Sequence, residues 1–183
     1  MDDTITPRIS RSDDRVAIEA LYRDAFPEED LVPLIQALLA DRNDVLSLIT
    51  GIGTRDGTGD GGDVTGHGAF THCGIVGAVD RFALLAPVAV ASARQGRGIG
   101  GTLIRDGLRR LGEAGVQRVF VLGDPAYYGR FGFTAETNVR PPYPLPEEWR
   151  EAWQSISLNE TKPPAPGTLV VPTPWRQPAL WGP

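Results

Sequence analysis

The sequence has few of the residues that mark disulfide-rich, metal-binding or membrane proteins. It contains one cysteine, Cys73, and two histidines among 183 residues. A single cysteine excludes an internal disulfide and fits a reducing compartment. The longest apolar stretch, Phe82–Ala91, is too short to span a bilayer. The first residues carry neither the basic flank nor the apolar run of a signal peptide. We therefore predict a cytoplasmic protein without a membrane partner.

Excess basic charge is also absent. The chain has 18 lysines and arginines against 23 aspartates and glutamates, which gives a net charge of -5. This balance argues against a nucleic-acid backbone as the main partner. The hydrophobic fraction of 41% is ordinary for a globular protein, and the length suits one domain. We predict a single domain over residues 1–183, with a core over 4–133 and a proline-rich C-terminal extension over 134–183.

No metal site is predicted. His67 and His72 are five residues apart on a predicted strand, so their side chains point to opposite faces. The glycine- and aspartate-rich stretch 53–63 lacks the acidic ligands of a calcium loop, and we interpret it as a hairpin tip. Cys73 has no feature nearby that favours a nucleophile, so we predict a small buried side chain.

Hydrophobic periodicity predicts alternating helices and strands in the first three quarters of the chain. The predicted helices cover residues 12–26, 31–39, 102–114 and a short segment from Pro125, and the predicted strands cover 4–9, 45–52, 64–76, 82–91 and 119–122. Beyond Phe133 prolines interrupt the pattern. There we predict a short helix over Glu147–Trp153, a last strand over Gly167–Val171 and a tail along the surface.

A glycine-rich loop follows the predicted fourth strand and opens a helix. Val88 and Val90 alternate as on one face of a strand, and four glycines lie between Ser92 and Gly101. Backbone N–H groups at such a helix N-terminus, together with the helix dipole, favour a phosphate or pyrophosphate. Glycine allows this close approach because it has no Cβ.

Three interpretations of this loop compete. It could be a turn whose glycines serve geometry alone. It could bind a dinucleotide, because Gly96, Gly98 and Gly101 satisfy G-x-G-x-x-G and Asp124 could contact a ribose. That fold needs further strand-helix units after the acidic residue, and only a proline-rich tail follows here. A Walker A loop is excluded because no Gly-Lys-[Ser/Thr] follows. The third interpretation is acyl-coenzyme A binding.

Two motifs carry the third interpretation. Gln95, Gly98 and Gly100 match [Gln/Arg]-x-x-Gly-x-[Gly/Ala], and the loop resembles the acyl-coenzyme A loop of the GNAT superfamily of N-acetyltransferases. Tyr128 and Gly132-Phe133 are similar to the Tyr-x-x-x-Gly-Phe signature that follows the fifth strand in that family. The fuller string around Tyr128 resembles a bacterial subgroup of predicted acetyltransferases. The family's asparagine near the start of this helix is absent, so its role is not carried over.

The resemblance implies a fold and a site. The fold is α/β, of the α+β type, with a mixed, mostly antiparallel central sheet, a parallel pair of strands 4 and 5, and flanking helices. Acetyl-CoA would place its pyrophosphate on the glycine loop and its pantetheine arm along strand 4. The implied cofactor contacts are Val88, Ala89, Val90, Gln95, Gly96, Arg97, Gly98, Ile99, Gly100 and Gly101. Tyr128 would be the catalytic residue, supplying a proton to the departing thiolate.

The function implied is transfer of an acetyl group from acetyl-CoA to a primary amine by direct attack on the thioester. The acceptor would be a small molecule or a peptide, and a homodimer is a candidate assembly because dimers are common in the family. Asp80, Glu28, either histidine and a water chain all stay open as the general base. A non-catalytic acyl-CoA-binding or regulatory module and a dinucleotide-binding protein remain as alternatives.

Overall fold

The computed structural model describes residues 6–41, 44–51, 63–159 and 162–182. The predicted hairpin tip over 53–63 lies outside these ranges except for Asp63. The helices are α1 (Arg15–Ala25), α2 (Val32–Ala40), α3 (Ile99–Glu113) and α4 (Pro125–Tyr128). The strands are β1 (Arg8–Ile9), β2 (Val45–Gly51), β3 (Val64–Ile75), β4 (Phe82–Val90), β5 (Arg118–Leu122), β6 (Thr134–Ala135), β7 (Val139–Arg140), β8 (Trp153–Ser157) and β9 (Gly167–Val170).

The chain divides into two compact units, and β3, β4 and α3 contribute residues to both. The first unit comprises the described residues up to Phe70 together with Pro87–Gly107. Its strand order is β1-β2-β3-β4, and β1 pairs antiparallel with β2. A core of apolar side chains from α1, α2, β2 and β4 is buried here: Ile18, Leu21, Tyr22, Ile35, Ile49 and Ala89.

The second unit comprises Thr71–Ala86 and the described residues from Leu108 onward. Its strand order is β3-β4-β5-β8-β6, and β9 pairs with β3 and with β7. The β4–β5 pair is parallel over three residues, with Phe82 opposite Arg118 and Leu84 opposite Phe120. Antiparallel pairs join β5 to β8, β8 to β6 and β3 to β9, whereas β7 and β9 are parallel.

The predicted fold class is confirmed. The sheet is mixed and mostly antiparallel, it contains the parallel β4–β5 pair, and helices flank it. The β5 residues Val119, Phe120 and Val121 are all fully buried, as their continuous apolar run predicts. The single-domain boundary over 1–183 remains a prediction. Among the described residues, the helices are all too short or too polar to cross a bilayer.

The C-terminal segment is more regular than the sequence indicates. The predicted helix before Trp153 is a 3-10 helix over Glu147–Ala152, and the predicted last strand is β9. The sequence analysis missed three further strands in this segment, β6, β7 and β8. β8 pairs with β5 along its whole length, from Trp153 opposite Leu122 to Ser157 opposite Arg118. Gln154 and Ser155 of this strand are polar but only 1% and 2% exposed, so neither an apolar run nor an apolar-polar alternation marks it in the sequence.

The tail along the surface was also a wrong expectation. Trp153, Trp175 and Trp181 are 3%, 5% and 2% exposed. Each indole N–H has an acceptor inside the second unit: the Val139 carbonyl at 2.7 Å, the Thr71 hydroxyl at 3.0 Å and the Trp175 carbonyl at 3.0 Å. Burial is favourable because large aromatic area is removed from water while the polar N–H keeps a partner.

Candidate functional site

The predicted anion-binding loop joins β4 to α3 within the first unit. The Ala91 N–H, just after β4, donates to the Thr65 carbonyl of β3 at 3.0 Å. A short 3-10 turn follows over Ser92–Arg94. Asp24 of α1 holds its start, because its carboxylate accepts the Ser92 N–H at 2.7 Å and its carbonyl accepts the Ser92 hydroxyl at 3.0 Å. The loop is therefore anchored to a strand and to a helix before the glycines begin.

Two glycines in the loop adopt the left-handed backbone region. Gly96 has φ +73° and Gly98 has φ +80°, and a Cβ at either position would meet open space. The requirement for glycine is conformational, because side chains disfavour positive φ. The first α3 bond after the loop runs from the Thr102 N–H to the Gly98 carbonyl at 3.0 Å. The N–H groups of the first helical turn have no intrahelical acceptor, as an anion site needs.

Two further glycines bring α3 close to β3 within the first unit. A Cβ on Gly66 would lie 2.6 Å from Cγ2 of Ile99 and 2.8 Å from the Thr50 hydroxyl. A Cβ on Gly107 would overlap the Phe70 ring. The sequence analysis missed both positions. Only the packing of α3 on β3 shows that the first turn of the helix depends on Gly66 and its middle on Gly107.

The residues predicted to contact the cofactor differ in how far their side chains are exposed to solvent. Gln95 and Arg97 are exposed, and the Gln95 amide donates to the Val90 carbonyl at 3.3 Å. Ala89 and Ile99 are 1% and 4% exposed, so they can offer only backbone groups to a ligand. Val88 and Val90 are half-buried.

The backbone direction of β4 follows from its pairing with β3. Successive peptide groups in an extended strand point to opposite edges. Because the Ala91 N–H points to β3, regular alternation along the strand would place the N–H groups of Val90 and Val88 at the other edge. This edge is where the predicted pantetheine arm would run.

Tyr128 lies at the end of α4, in the second unit. Asp124 caps this helix by accepting the Ala126 N–H at 2.8 Å, so its carboxylate serves the helix rather than standing free for a ribose. The Tyr128 ring covers Gly123, where a Cβ would overlap it, and packs edge-on against Phe133. Burial, with a smaller contribution from Tyr127, raises the pKa of Tyr128 to about 12. The phenol is therefore protonated at neutral pH, as a proton donor must be.

The other titratable candidates have local explanations. His67 is fully buried and bonded at both ring nitrogens, to the Tyr22 hydroxyl at 2.8 Å and the Ser47 hydroxyl at 2.9 Å. Burial lowers its pKa to about 3, so the ring is neutral. Burial raises the pKa of the Cys73 thiol, which disfavours a nucleophilic thiolate. Within the described ranges, no three His, Cys, Asp or Glu side chains cluster as metal ligands.

Comparison with known proteins places this geometry in a family. Residues 15–133 match the model of the acetyltransferase (GNAT) family. The chain is 42% identical to YjhQ of Escherichia coli K12, described as an uncharacterised N-acetyltransferase, over 54% of this chain and 57% of that protein. The match thus spans a little over half of the relative's length.

Two solved structures resemble nearly the whole chain. One is the GNAT family N-acetyltransferase YhbS from Escherichia coli, solved in complex with CoA; it has a TM-score of 0.79 and 26% identity and covers 97% of this chain and 96% of that one. The other is a GNAT family acetyltransferase from Brucella melitensis, solved with acetyl-CoA; it has a TM-score of 0.72 and 31% identity and covers 93% and 97%. Because the family model matches residues 15–133, well over half of the chain, the chain belongs to the GNAT acetyltransferase family.

Proposed function

We propose that this chain is an N-acetyltransferase that moves an acetyl group from acetyl-CoA to a primary amine. The observation that carries the proposal is the loop between β4 and α3, where Gly96 and Gly98 at positive φ precede the free N–H groups of a long helix. The bound CoA and acetyl-CoA of the two structural relatives support the choice of cosubstrate.

The loop would hold the pyrophosphate of acetyl-CoA. The N–H groups from Gly96 to Gly101 would donate to its oxygens, with the exposed Arg97 adding a positive charge. Gln95 would exchange its bond to the Val90 carbonyl for one to the ligand. The half-buried Val88 and Val90 would line the pantetheine arm, and their outward N–H groups would bond it or the thioester oxygen.

The reaction would be direct acyl transfer. The amine nitrogen, after losing a proton, forms a bond to the thioester carbon, and the carbonyl oxygen gains the charge that an N–H group of Val88 or Val90 stabilises. The nitrogen then loses its second proton to solvent and the C–S bond breaks as the carbonyl re-forms. The thiolate takes a proton from the Tyr128 hydroxyl, which is reprotonated from solvent. No residue is assigned as general base, and the acceptor is defined only as a primary amine on a small molecule or peptide.

Calorimetric titration with acetyl-CoA, with NADH alongside, tests the cosubstrate. Micromolar binding of acetyl-CoA is expected. Absence of that binding would overturn the proposal. Tighter binding of NADH would overturn it as well and would favour a dinucleotide-binding protein. Release of CoA thiol in the presence of an amine panel then tests turnover. Binding without turnover on any amine would support the non-catalytic module instead.

Tyr128→Phe tests the catalytic assignment. The phenylalanine keeps the ring on Gly123 but removes the proton donor, so kcat should fall about a hundredfold while the KM for acetyl-CoA changes little. Tyr143→Phe, on a tyrosine with no assigned role, is the matched control and should retain full activity. Full turnover by Tyr128→Phe would remove the assignment.

A further inference from the structure

A continuous chain of hydrogen bonds runs through the first unit from β1 to β4. The Ser10 hydroxyl donates to the Ser47 hydroxyl at 2.6 Å, and Ser47 is 2.9 Å from Nε2 of His67. Nδ1 of His67 is 2.8 Å from the Tyr22 hydroxyl, which donates to the Pro87 carbonyl at 3.3 Å. His67 and Tyr22 are 0% and 1% exposed. The function proposed above uses none of the four side chains.

The last bond sets the direction of the others. A phenol has one proton, and when Tyr22 donates it to the Pro87 carbonyl its oxygen accepts from the Nδ1–H of His67. Nε2 is then unprotonated and accepts from the Ser47 hydroxyl. With this assignment every donor faces an acceptor, and His67 is the neutral tautomer protonated at Nδ1.

The chain ends beside the segment assigned to the thioester. Pro87 has no N–H, so its carbonyl is the one backbone group through which it can be held. The Tyr22 bond holds the Pro87 carbonyl at the N-terminal end of Val88–Val90. The bond from the Ala91 N–H to the Thr65 carbonyl holds the C-terminal end. The outward N–H groups of Val88 and Val90 lie between these two anchors.

We propose that Tyr22 and His67 are positioning residues for acetyl transfer, fixing the Pro87 carbonyl and so the direction of the N–H groups that stabilise the oxyanion. This inference rests on the proposed function. His67 acts through Tyr22 by keeping its hydroxyl turned to Pro87. Donors aimed in advance at a developing charge need no reorganisation during the reaction, so their misalignment lowers kcat more than cosubstrate affinity.

Tyr22→Phe removes the bond to Pro87 and keeps the ring in the core. We expect kcat to fall about tenfold, the effect of one neutral hydrogen bond, with the KM for acetyl-CoA within about twofold of the unchanged protein. Thr71→Val is the matched control. It removes a buried hydroxyl that accepts the Trp175 indole N–H at 3.0 Å, on the same strand as His67 and outside the chain of bonds, and should leave kcat unchanged.

A pair of substitutions at His67 separates positioning from packing. The amide nitrogen of asparagine lies close to the place of Nδ1, so His67→Asn can still donate to Tyr22, whereas His67→Leu cannot. His67→Leu should lose as much kcat as Tyr22→Phe, His67→Asn should recover most of it, and the double variant Tyr22→Phe/His67→Leu should lose no more than either single one.

The outcomes separate this inference from the proposed function. Failure of the unchanged protein to bind acetyl-CoA or turn over would refute the proposed function. Normal turnover by the unchanged protein, with full kcat in Tyr22→Phe or equal losses in the two His67 variants, would refute the positioning role alone. An equal loss in Thr71→Val would also refute it, because general loosening of β3 would then explain the effect. If Tyr22→Phe does not fold, the His67 pair decides.

Discussion

Gly66 of β3 lies so close to Ile99, the first residue of α3, that a Cβ on Gly66 would stand 2.6 Å from the Ile99 Cγ2. That distance is shorter than a van der Waals contact. The same Cβ would also lie only 2.8 Å from the Thr50 hydroxyl oxygen, so it could not shift towards Thr50. The N-terminus of α3 can therefore pack directly against β3 because Gly66 has no side chain.

Gly66→Ala should displace the first turn of α3. Overpacking should lower the free energy of unfolding by about 1–3 kcal/mol and weaken acetyl-CoA binding. Gly68→Ala is the control on the same strand, since the nearest atom to its Cβ would be Leu103 Cβ at 3.8 Å, an ordinary contact. Urea unfolding and calorimetry measure both effects. Equal behaviour of the two variants would show that the close contact is unimportant.

Gly98→Ala tests the loop conformation itself. Alanine at φ +80° is strained by about 1–2 kcal/mol, so the loop should change shape and the Kd for acetyl-CoA should rise about tenfold. Gly129→Ala is the comparison, because Gly129 has φ -56° and open space around its Cβ position. An unchanged Kd for Gly98→Ala would show that binding does not use this backbone geometry.

The pH dependence of stability should report the buried His67. Its pKa is about 3 in the folded protein and 6.5 when exposed, so below pH 6.5 the unfolded chain binds a proton that the folded one does not. The free energy of unfolding therefore keeps its full value above about pH 6.5, and it decreases as the pH falls from 6.5 towards 3. Between pH 7 and pH 5 the free energy of unfolding should fall by about 2 kcal/mol.

The control for this prediction is His67→Asn, which cannot titrate. Unfolding of both proteins by urea at pH 7, 6 and 5 gives the difference that belongs to His67 and cancels the carboxylates they share. A parallel decrease in the two proteins would contradict the prediction.

Glu136 should stabilise the second unit through a buried ion pair. Its carboxylate, whose side chain is 2% exposed, lies 2.9 Å from the Arg118 guanidinium. Burial alone would raise the pKa of Glu136, but the Ser155 hydroxyl, two backbone N–H groups and Arg118 hold it below the usual value. Glu136→Gln removes the negative charge that lies 2.9 Å from Arg118 and should cost about 3 kcal/mol.

An exposed ion pair supplies the comparison. Glu147 and Arg150 are joined at 2.8 Å, with side chains 78% and 75% exposed. Glu147→Gln should change the free energy of unfolding by less than about 0.5 kcal/mol, because solvent screens the pair. Similar losses in the free energy of unfolding for Glu147→Gln and Glu136→Gln, measured by urea unfolding, would show that burial does not determine how much the ion pair stabilises the fold.

The sequence by itself determined the main elements up to Phe133 and the two motifs. Helix periodicity, the apolar run of β5 and the glycine loop are local patterns, and short-range physics is sufficient to interpret them. The parallel β4–β5 pair was implied by the resemblance to the family, and the structure confirms it.

Tertiary structure alone decided the relationships between distant residues. Tyr22 and His67 are 45 residues apart, and Trp175 and Thr71 are 104 apart, so no local pattern joins them. Whether a histidine is buried and neutral, whether a tryptophan finds an acceptor, and whether a strand glycine touches a helix all depend on which segments pack together. Burial and hydrogen-bond satisfaction belong to the folded chain, and for that reason β8, the indoles and the Tyr22–His67 pair could be assigned only from the structure.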